Sequence, residues 1–164
     1  MASGKSGGKG TPATVAAARA SVAFTLHEYA VDPDAASYGE AAADALGVPR
    51  ERLFKTLLAE VDGALSVGVV PVSGSLDLKA LAAALGGKRA RLADPRDAER
   101  ATGYVVGGIS PLGQRRRLPT VVDASASGFA TVYVSAGRRG LQIELAPDDL
   151  VRLTGARLAR VARD

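Results

Sequence analysis

Two apolar runs, Leu53–Val61 and Leu65–Val72, are joined through Asp62-Gly63, and no other stretch of the 164 residues narrows the fold as far. Asp-Gly between such runs favours a two-residue turn whose twist matches that of the flanking strands, so the pair predicts an antiparallel hairpin. Side chains along a strand alternate between faces. The first run therefore places Leu53, Lys55, Leu57, Ala59 and Val61 on one face and Phe54, Thr56, Leu58 and Glu60 on the other.

Helices and short strands alternate irregularly around this hairpin. Thr11-Pro12 supplies an N-cap and a first helical residue for an Ala-rich helix to about Ala20. Phe24 to Tyr29 reads as a strand that breaks at Asp32-Pro33-Asp34. Ser37 and Glu40 fit a capping box for a helix ending near Gly47, ahead of Pro49. Ser75 to Leu85 reads as a helix closed by Gly86-Gly87, Lys88 to Ala93 as a strand, and Asp94-Pro95 as the start of a short helix. Val121-Val122, Thr131 to Ser135 and Leu141 to Leu145 read as strands, Pro147-Asp148-Asp149 as a helix start, and Arg157 to Val161 as a last strand. Residues 103–119 are too interrupted by glycine and proline for either element. The order predicts an α+β fold with a mixed, strongly curved, barrel-like sheet flanked by helices, rather than a doubly wound parallel sheet. Residues 11–164 are expected to form a single domain. Residues 1–10, nearly all Gly, Ser and Lys, are expected to be a flexible tail, and they lack the spacing of a phosphate loop.

Composition removes several chemistries. There is no Cys, which excludes a disulfide framework, a thiolate zinc site and a Cys nucleophile. A single His and few clustered carboxylates give no support to a metal centre or a Ser-His-Asp triad, and no cofactor or metal is expected. With only 4% aromatic residues, the core must be built from Val, Leu, Ile and Ala. No apolar run approaches the roughly 20 residues of a membrane span, and the first residues have no apolar centre, so a cytoplasmic protein with no membrane partner is expected. Charge is divided unevenly. Residues 1–85 hold seven Lys/Arg against nine Asp/Glu and residues 86–164 hold fourteen against eight, for net charges of −2 and +6. A basic second half favours a polyanionic partner, nucleic acid above all.

Three places carry candidate chemistry. Lys55 interrupts an apolar row; such a lysine either lifts its head into water or stands at a pocket floor, donating to an anionic or carbonyl oxygen. Gly107 and Gly108 let backbone pass close to a ligand, and Ser110-Pro111 follows with a hydroxyl and a fixed turn. The segment is either a cradle for a phosphate or polarised carbonyl oxygen, or a wide turn. Arg115-Arg116-Arg117 beside it is either a solvated surface or a phosphate clamp. Ser135 to Gly140 is a strand end passing into a basic turn. His27 has no second ligand-forming partner in the sequence, and Tyr29 ends its strand as a pocket or core aromatic.

Together, Phe54-Lys55-Thr56-Leu57, the run from Thr102 through Gly107-Gly108-Ile109-Ser110-Pro111 to Gln114, Leu118-Pro119-Thr120, and Tyr133-Val134-Ser135 through Arg139-Gly140-Leu141 resemble the YbaK/EbsC family of Cys-tRNA(Pro) deacylases. The resemblance runs from about Thr11 to the C-terminus. It implies a fold akin to the editing domain of prolyl-tRNA synthetase and a trans-editing role on mischarged tRNA(Pro), with prolyl-tRNA synthetase as a partner. It implies Lys55 as the key active-site residue, Gly107, Gly108, Ser110 and Pro111 as the loop around the substrate carbonyl and terminal ribose, and Tyr29, Thr56, Ser135 and Arg138 as pocket contacts. Gln142 stands where relatives carry Asp, which leaves a hydrogen-bonding role but removes a charged one. The implied mechanism needs no protein nucleophile: the cysteinyl thiol attacks its own ester while the protein orients it, with Lys55 as anchor rather than base. The competing readings are a deacylase of another small aminoacyl-tRNA such as Ala-tRNA(Pro) using water, and a tRNA-binding module without catalysis.

Overall fold

The computed structural model describes residues 10–164. The expected tail therefore lies, apart from Gly10, outside the described residues. The first helix, α1 (Pro12–Arg19), is capped by Thr11, whose hydroxyl accepts from the Thr14 N–H while the Thr14 hydroxyl accepts from the Thr11 N–H. Strand β1 (Phe24–Glu28) follows, then α2 (Tyr38–Leu46), closed by Gly47 in the left-handed conformation. Only half of the expected capping box forms at α2. Ser37 accepts from the Glu40 N–H, but the Glu40 carboxylate turns to Arg50, at 3.1 Å, instead of back to the cap.

Strands β2 (Phe54–Val61) and β3 (Ala64–Pro71) form the hairpin, paired from Phe54↔Pro71 to Val61↔Ala64. Asp62 and Gly63 both have positive φ, 50° and 86°, as a type I′ turn requires. The Asp62 side chain also works beyond the turn. Its carboxylate accepts from the Lys88 and Arg89 N–H groups at 3.0 Å, which ties the start of a later strand to the hairpin tip. A short β4 (Ser75–Leu76), α3 (Leu78–Ala84), β5 (Ala90–Leu92) and α4 (Pro95–Thr102) come next. The helix expected from Ser75 starts later because the Asp77 carboxylate caps it through the Ala80 N–H, freeing Ser75-Leu76 to pair as a strand.

After the irregular segment come β6 (Thr120–Asp123), an unanticipated 3-10 turn over Ala124–Gly128, β7 (Val132–Arg138), β8 (Leu141–Leu145), α5 (Pro147–Thr154), β9 (Arg157–Ala159) and β10 (Ala162–Arg163). The expected last strand is split in two. The buried Asp123 carboxylate accepts from both the Val161 and Ala162 N–H groups, at 2.9 and 2.8 Å, and turns the chain there from β6 toward β4.

The strands form a five-stranded sheet in the order β5-β2-β3-β6-β9, a three-stranded sheet β1-β8-β7, and the pair β10-β4. In the largest sheet β3, β6 and β9 run parallel while β5, β2 and β3 are antiparallel, so the mixed α+β expectation holds. The expected barrel is not formed. A closed barrel has no edges, whereas the two larger sheets meet through the single bridge Leu53↔Tyr133 and keep β5 and β9, three residues each, as edges. The alternation along β2 decides which core each residue joins: Phe54 and Leu58 enter the main core with Ile143, Leu145 and Leu150, while Ala59 and Val61 face α3. A third cluster seats α2, through Ala42 and Ala43, on Leu53, Val72 and Tyr133. Among the described residues no helix is long and apolar enough to cross a membrane.

Candidate active site

A cavity of about 290 Å³ opens where the two larger sheets approach one another. It is lined by β2 at Lys55, Thr56 and Leu57, by Ser135 and Gln142 of the three-stranded sheet, and by Tyr29 just after β1. The first turn of α2 and the first residues of α4 form two more sides, and Val106, Gly107 and Ile109 of the irregular segment form its rim. Gly39 permits the approach of α2: a Cβ there would stand 2.6 Å from Val72 Cγ1 and 3.9 Å from Lys55 Cβ. Two helix N-termini thus border one cavity, and each adds a partial positive charge to that of the lysine.

Lys55 is half-buried, and its ammonium has no hydrogen-bond or ion-pair partner among the described residues. Its side chain lines the cavity. Gly107, at φ 89°, has an N–H that no acceptor claims among the described residues. Thr56 Oγ1 and Gln142 Oε1 are buried without a partner there. Leaving a buried polar atom unsatisfied costs about 1–3 kcal/mol, so each calls for an explanation, and a ligand's hydrogen bond is one. The remaining wall is mostly apolar. The arrangement suits a small ligand that brings a carbonyl or anionic oxygen to Lys55 and Gly107.

Among the described residues the cavity offers no activated protein nucleophile. The Ser37 hydroxyl caps α2, and Ser135 Oγ accepts from the Gly137 N–H. His27 Nε2 lies 2.8 Å from Glu144 Oε1. That carboxylate also binds Thr131 at 2.6 Å and Arg52 at 3.2 Å. Burial by itself would raise the Glu144 carboxyl, but hydrogen bonds from Thr131 and His27 outweigh it and hold the group below its ordinary value. No group of three or more His, Cys, Asp or Glu stands together among the described residues.

Five expected site residues converge on the cavity: Tyr29, Lys55, Thr56, Gly107 and Ser135. The other four do not line it. Gly108 donates its N–H to Val105 O at 2.9 Å, and a Cβ there would lie 2.8 Å from the Arg138 and Arg139 backbone. Ser110 is fully buried, its Oγ accepting from the Leu112 N–H. Pro111 lines a second cavity, and Arg138 pairs with Glu28 at 2.9 Å on the surface. Gly108, Ser110 and Pro111 lie in the segment that carries Gly107, and the Arg138 backbone packs against Gly108. Tyr104 anchors the same loop: its hydroxyl donates to Leu112 O at 2.6 Å, and burial pushes its pKa up to about 12.

Sequence reasoning does not single out Tyr38, the α4 residues Pro95 and Ala98, or the part played by Arg139. Tyr38 and Pro95 stand in local motifs only as parts of helix starts and Arg139 only in a basic turn; they reach the site through packing between distant segments. Gln142 stands out in the sequence only as a departure from the family, yet it holds one of the two unpartnered buried atoms.

A lysine among mostly apolar walls, with no activated nucleophile among the described residues, suits a protein that takes a small acyl ligand. Comparison with known proteins gives that class its family. The aminoacyl-tRNA editing domain matches residues 32–153. The chain is 39% identical over 142 residues, 85% of each protein, to EbsC of Enterococcus faecalis, described as a Cys-tRNA(Pro)/Cys-tRNA(Cys) deacylase. It superimposes with a TM-score of 0.74, at 26% identity over 86% of this chain and 87% of the other, on a crystal structure described as a trans-editing enzyme for prolyl tRNA synthetase. A TM-score of 0.81 at 27% identity, covering 93% of this chain and all of the other, relates it to hypothetical protein APE2540. The chain belongs to the aminoacyl-tRNA editing domain family, in its YbaK/EbsC branch, and is by class an aminoacyl-tRNA deacylase.

Proposed function

We propose that this protein is a free-standing trans-editing enzyme that removes cysteine from Cys-tRNA(Pro), the substrate's own thiol acting as nucleophile. The observation that carries the reading is Lys55, its ammonium unpartnered, lining a cavity that holds no activated nucleophile among the described residues. In the step proposed, the cysteinyl sulfur bonds to its own carbonyl carbon, the ester C–O bond breaks, and the terminal ribose oxygen leaves with the proton the thiol gives up. The products are a cyclic thioester and uncharged tRNA. Intramolecular attack needs little beyond correct geometry, because the effective concentration of a held nucleophile is very high.

The protein then holds the substrate and stabilises charge on the carbonyl oxygen. In this reading Lys55 and the Gly107 N–H do so and Tyr29, Thr56 and Ser135 surround the side chain; the support is that all five line the cavity. Gly108, Ser110 and Pro111 act by setting the loop, with the Arg138 backbone packed against Gly108. Selectivity follows from chemistry more than from fit, since one methylene in a pocket is worth only about 1–3 kcal/mol. Prolyl-tRNA synthetase, the source of the mischarged tRNA, is the proposed partner.

Single-turnover deacylation of cysteinyl, seryl and alanyl esters of tRNA(Pro) tests the mechanism. The expected result is fast loss of the cysteinyl ester with a transient cyclic thioester, and slow loss of the other two. Equal rates for cysteinyl and alanyl esters would assign the cleavage to water.

A further inference from the structure

Resting on the deacylase reading, we infer that Arg115, Arg116 and Arg117, with the second cavity beside them, are the docking surface for the RNA backbone leading to the acylated end. The second cavity, about 200 Å³, is lined by Gln114, Arg116, Arg117, Thr120 and Thr154 among others. All three arginines are exposed, and none forms an ion pair among the described residues. Arg50, Arg52, Arg91, Arg100, Arg138 and Arg152 each face a carboxylate; of the arginines that do not, such as Arg89 and Arg157, only residues 115–117 are consecutive among the described residues.

The run is held in place by its backbone. The Arg115 N–H donates to Thr102 O at 2.9 Å and the Arg116 N–H to Ala101 O at 3.0 Å, both at the C-terminal end of α4. Arg117 lies against Gly155, the C-cap of α5: a Cβ there would be 2.5 Å from its Nη2. Neutralising these helix ends does not account for the charge. Each C-terminus carries about half a negative charge, so two of them leave roughly two of the three positive charges uncompensated.

The position relative to the active site fits a strand of RNA. Pro95 and Ala98, in the first half of α4, line the catalytic cavity, while the arginines are tied to the last turn. Eight helical residues span about 12 Å, or roughly three stacked nucleotides at about 3.4 Å each. An acyl group in the first cavity would therefore place the preceding phosphates within reach of the guanidinium groups. The Gln114 side chain donates to Ser110 O and keeps its own carbonyl for a sugar hydroxyl.

The test compares the full-length protein with its Arg116→Gln/Arg117→Gln form, both substitutions being at exposed positions. Uncharged tRNA binding is measured from about 50 to about 200 mM salt. The slope of log affinity against log salt should fall by about 1.4–1.8, the loss of two phosphate contacts. For cysteinyl-tRNA(Pro), KM should rise roughly tenfold near physiological salt with kcat within about twofold, whereas cysteinyl-adenosine, which lacks the backbone, should react equally with both proteins. Unchanged binding and slope would overturn the inference, as would an equal defect on cysteinyl-adenosine. The binding slope also separates this inference from the deacylase reading: parent protein inactive on every ester would end that reading, while the change in slope would still report the surface.

Discussion

The Arg139 guanidinium donates through Nε and Nη2, at 2.9 and 2.6 Å, to the single carbonyl oxygen of Val106. Its central carbon stands 4.5 Å from the centroid of the Tyr38 ring. One side chain thereby joins the β7–β8 turn, the loop at the cavity rim and the first turn of α2, next to Gly107. Val106 is held from its other side by Glu99, which accepts its N–H at 2.8 Å. Replacing Arg139 with Ala should cost about 1 kcal/mol or less in global stability, since the contact is exposed. The loss in kcat/KM should be larger, about tenfold or more, because the loop no longer presents the Gly107 N–H in one position. Arg139→Lys keeps the charge but not the paired donors, and should recover only part of the activity. Hydrogen exchange at Val106–Ile109 beside thermal unfolding separates the two effects: unchanged exchange with normal turnover in Arg139→Ala would exclude a positioning role.

Two glycines with almost the same φ provide a matched pair. Gly107 has φ 89° and a Cβ there would lie 2.7 Å from Arg139 Nε and 2.8 Å from Tyr38 Cδ2, whereas Gly63 has φ 86° and open space around it. Alanine at Gly63 should cost roughly 1–2 kcal/mol from the left-handed conformation alone. Its deacylation rate should be unchanged. Alanine at Gly107 carries the same backbone cost and also pushes the Arg139 and Tyr38 side chains apart, so kcat/KM should fall by more than tenfold at comparable stability loss. Comparing turnover of the two variants at a temperature where both are folded checks this.

Legibility followed the range of the interactions. The hairpin was readable because Asp62-Gly63 and its flanking runs are adjacent, and α1, α4 and α5 because Thr11, Asp94 and proline mark their starts locally. What was missed depends on residues far apart in sequence. The split of β9 from β10 comes from Asp123, 38 residues before Val161. The strand at Ser75-Leu76 comes from a partner at Ala162-Arg163. The site divides in the same way. Lys55, Thr56 and Gly107 sit in recognisable local contexts, but nothing near Arg138 shows that its side chain goes to Glu28 while Arg139 takes the loop. The barrel expectation failed because strand patterns report the number of strands and their faces, not whether their edges meet.

Three carboxylates are held below their ordinary value; Asp44, beside Arg50, is exposed, and acid sensitivity should trace to the other two. Burial acts to raise both Glu144 and Asp123, but in each case hydrogen bonds outweigh it and the net shift is downward: Thr131 and His27 bind Glu144, and Ser125 with the Val161 and Ala162 N–H groups binds Asp123. A carboxylate whose pKa is lower in the folded state stabilises the fold fully above its unfolded value, and that contribution is lost as pH falls through the folded value. Stability should therefore decline as pH drops below the ordinary carboxylate range. Glu144→Gln and Asp123→Asn should each flatten that acid limb and lower stability at neutral pH. Denaturant midpoints taken across the acid range decide it; an acid limb of unchanged steepness in both variants would place the titrating groups elsewhere.

Lys55 separates folding from function most cleanly. The residue is half-buried and its ammonium has no partner among the described residues, so the folded protein gains no ion pair from it. Lys55→Ala should unfold at the same temperature as the parent or slightly higher. Cleavage of the cysteinyl ester should fall by a hundredfold or more, in line with the roughly 10²–10³ that follows removal of one group stabilising a developing oxyanion. Lys55→Arg keeps a cation but spreads it over a larger planar group, and should give an intermediate rate. The rate across pH adds a second readout: a lysine acting as general base would produce an acid limb that disappears in Lys55→Arg, whereas an electrostatic anchor leaves the limb set by the substrate thiol. A stable Lys55→Ala protein cleaving the ester near the parent rate would remove Lys55 from the reaction and, with it, the oxyanion arrangement built on Gly107.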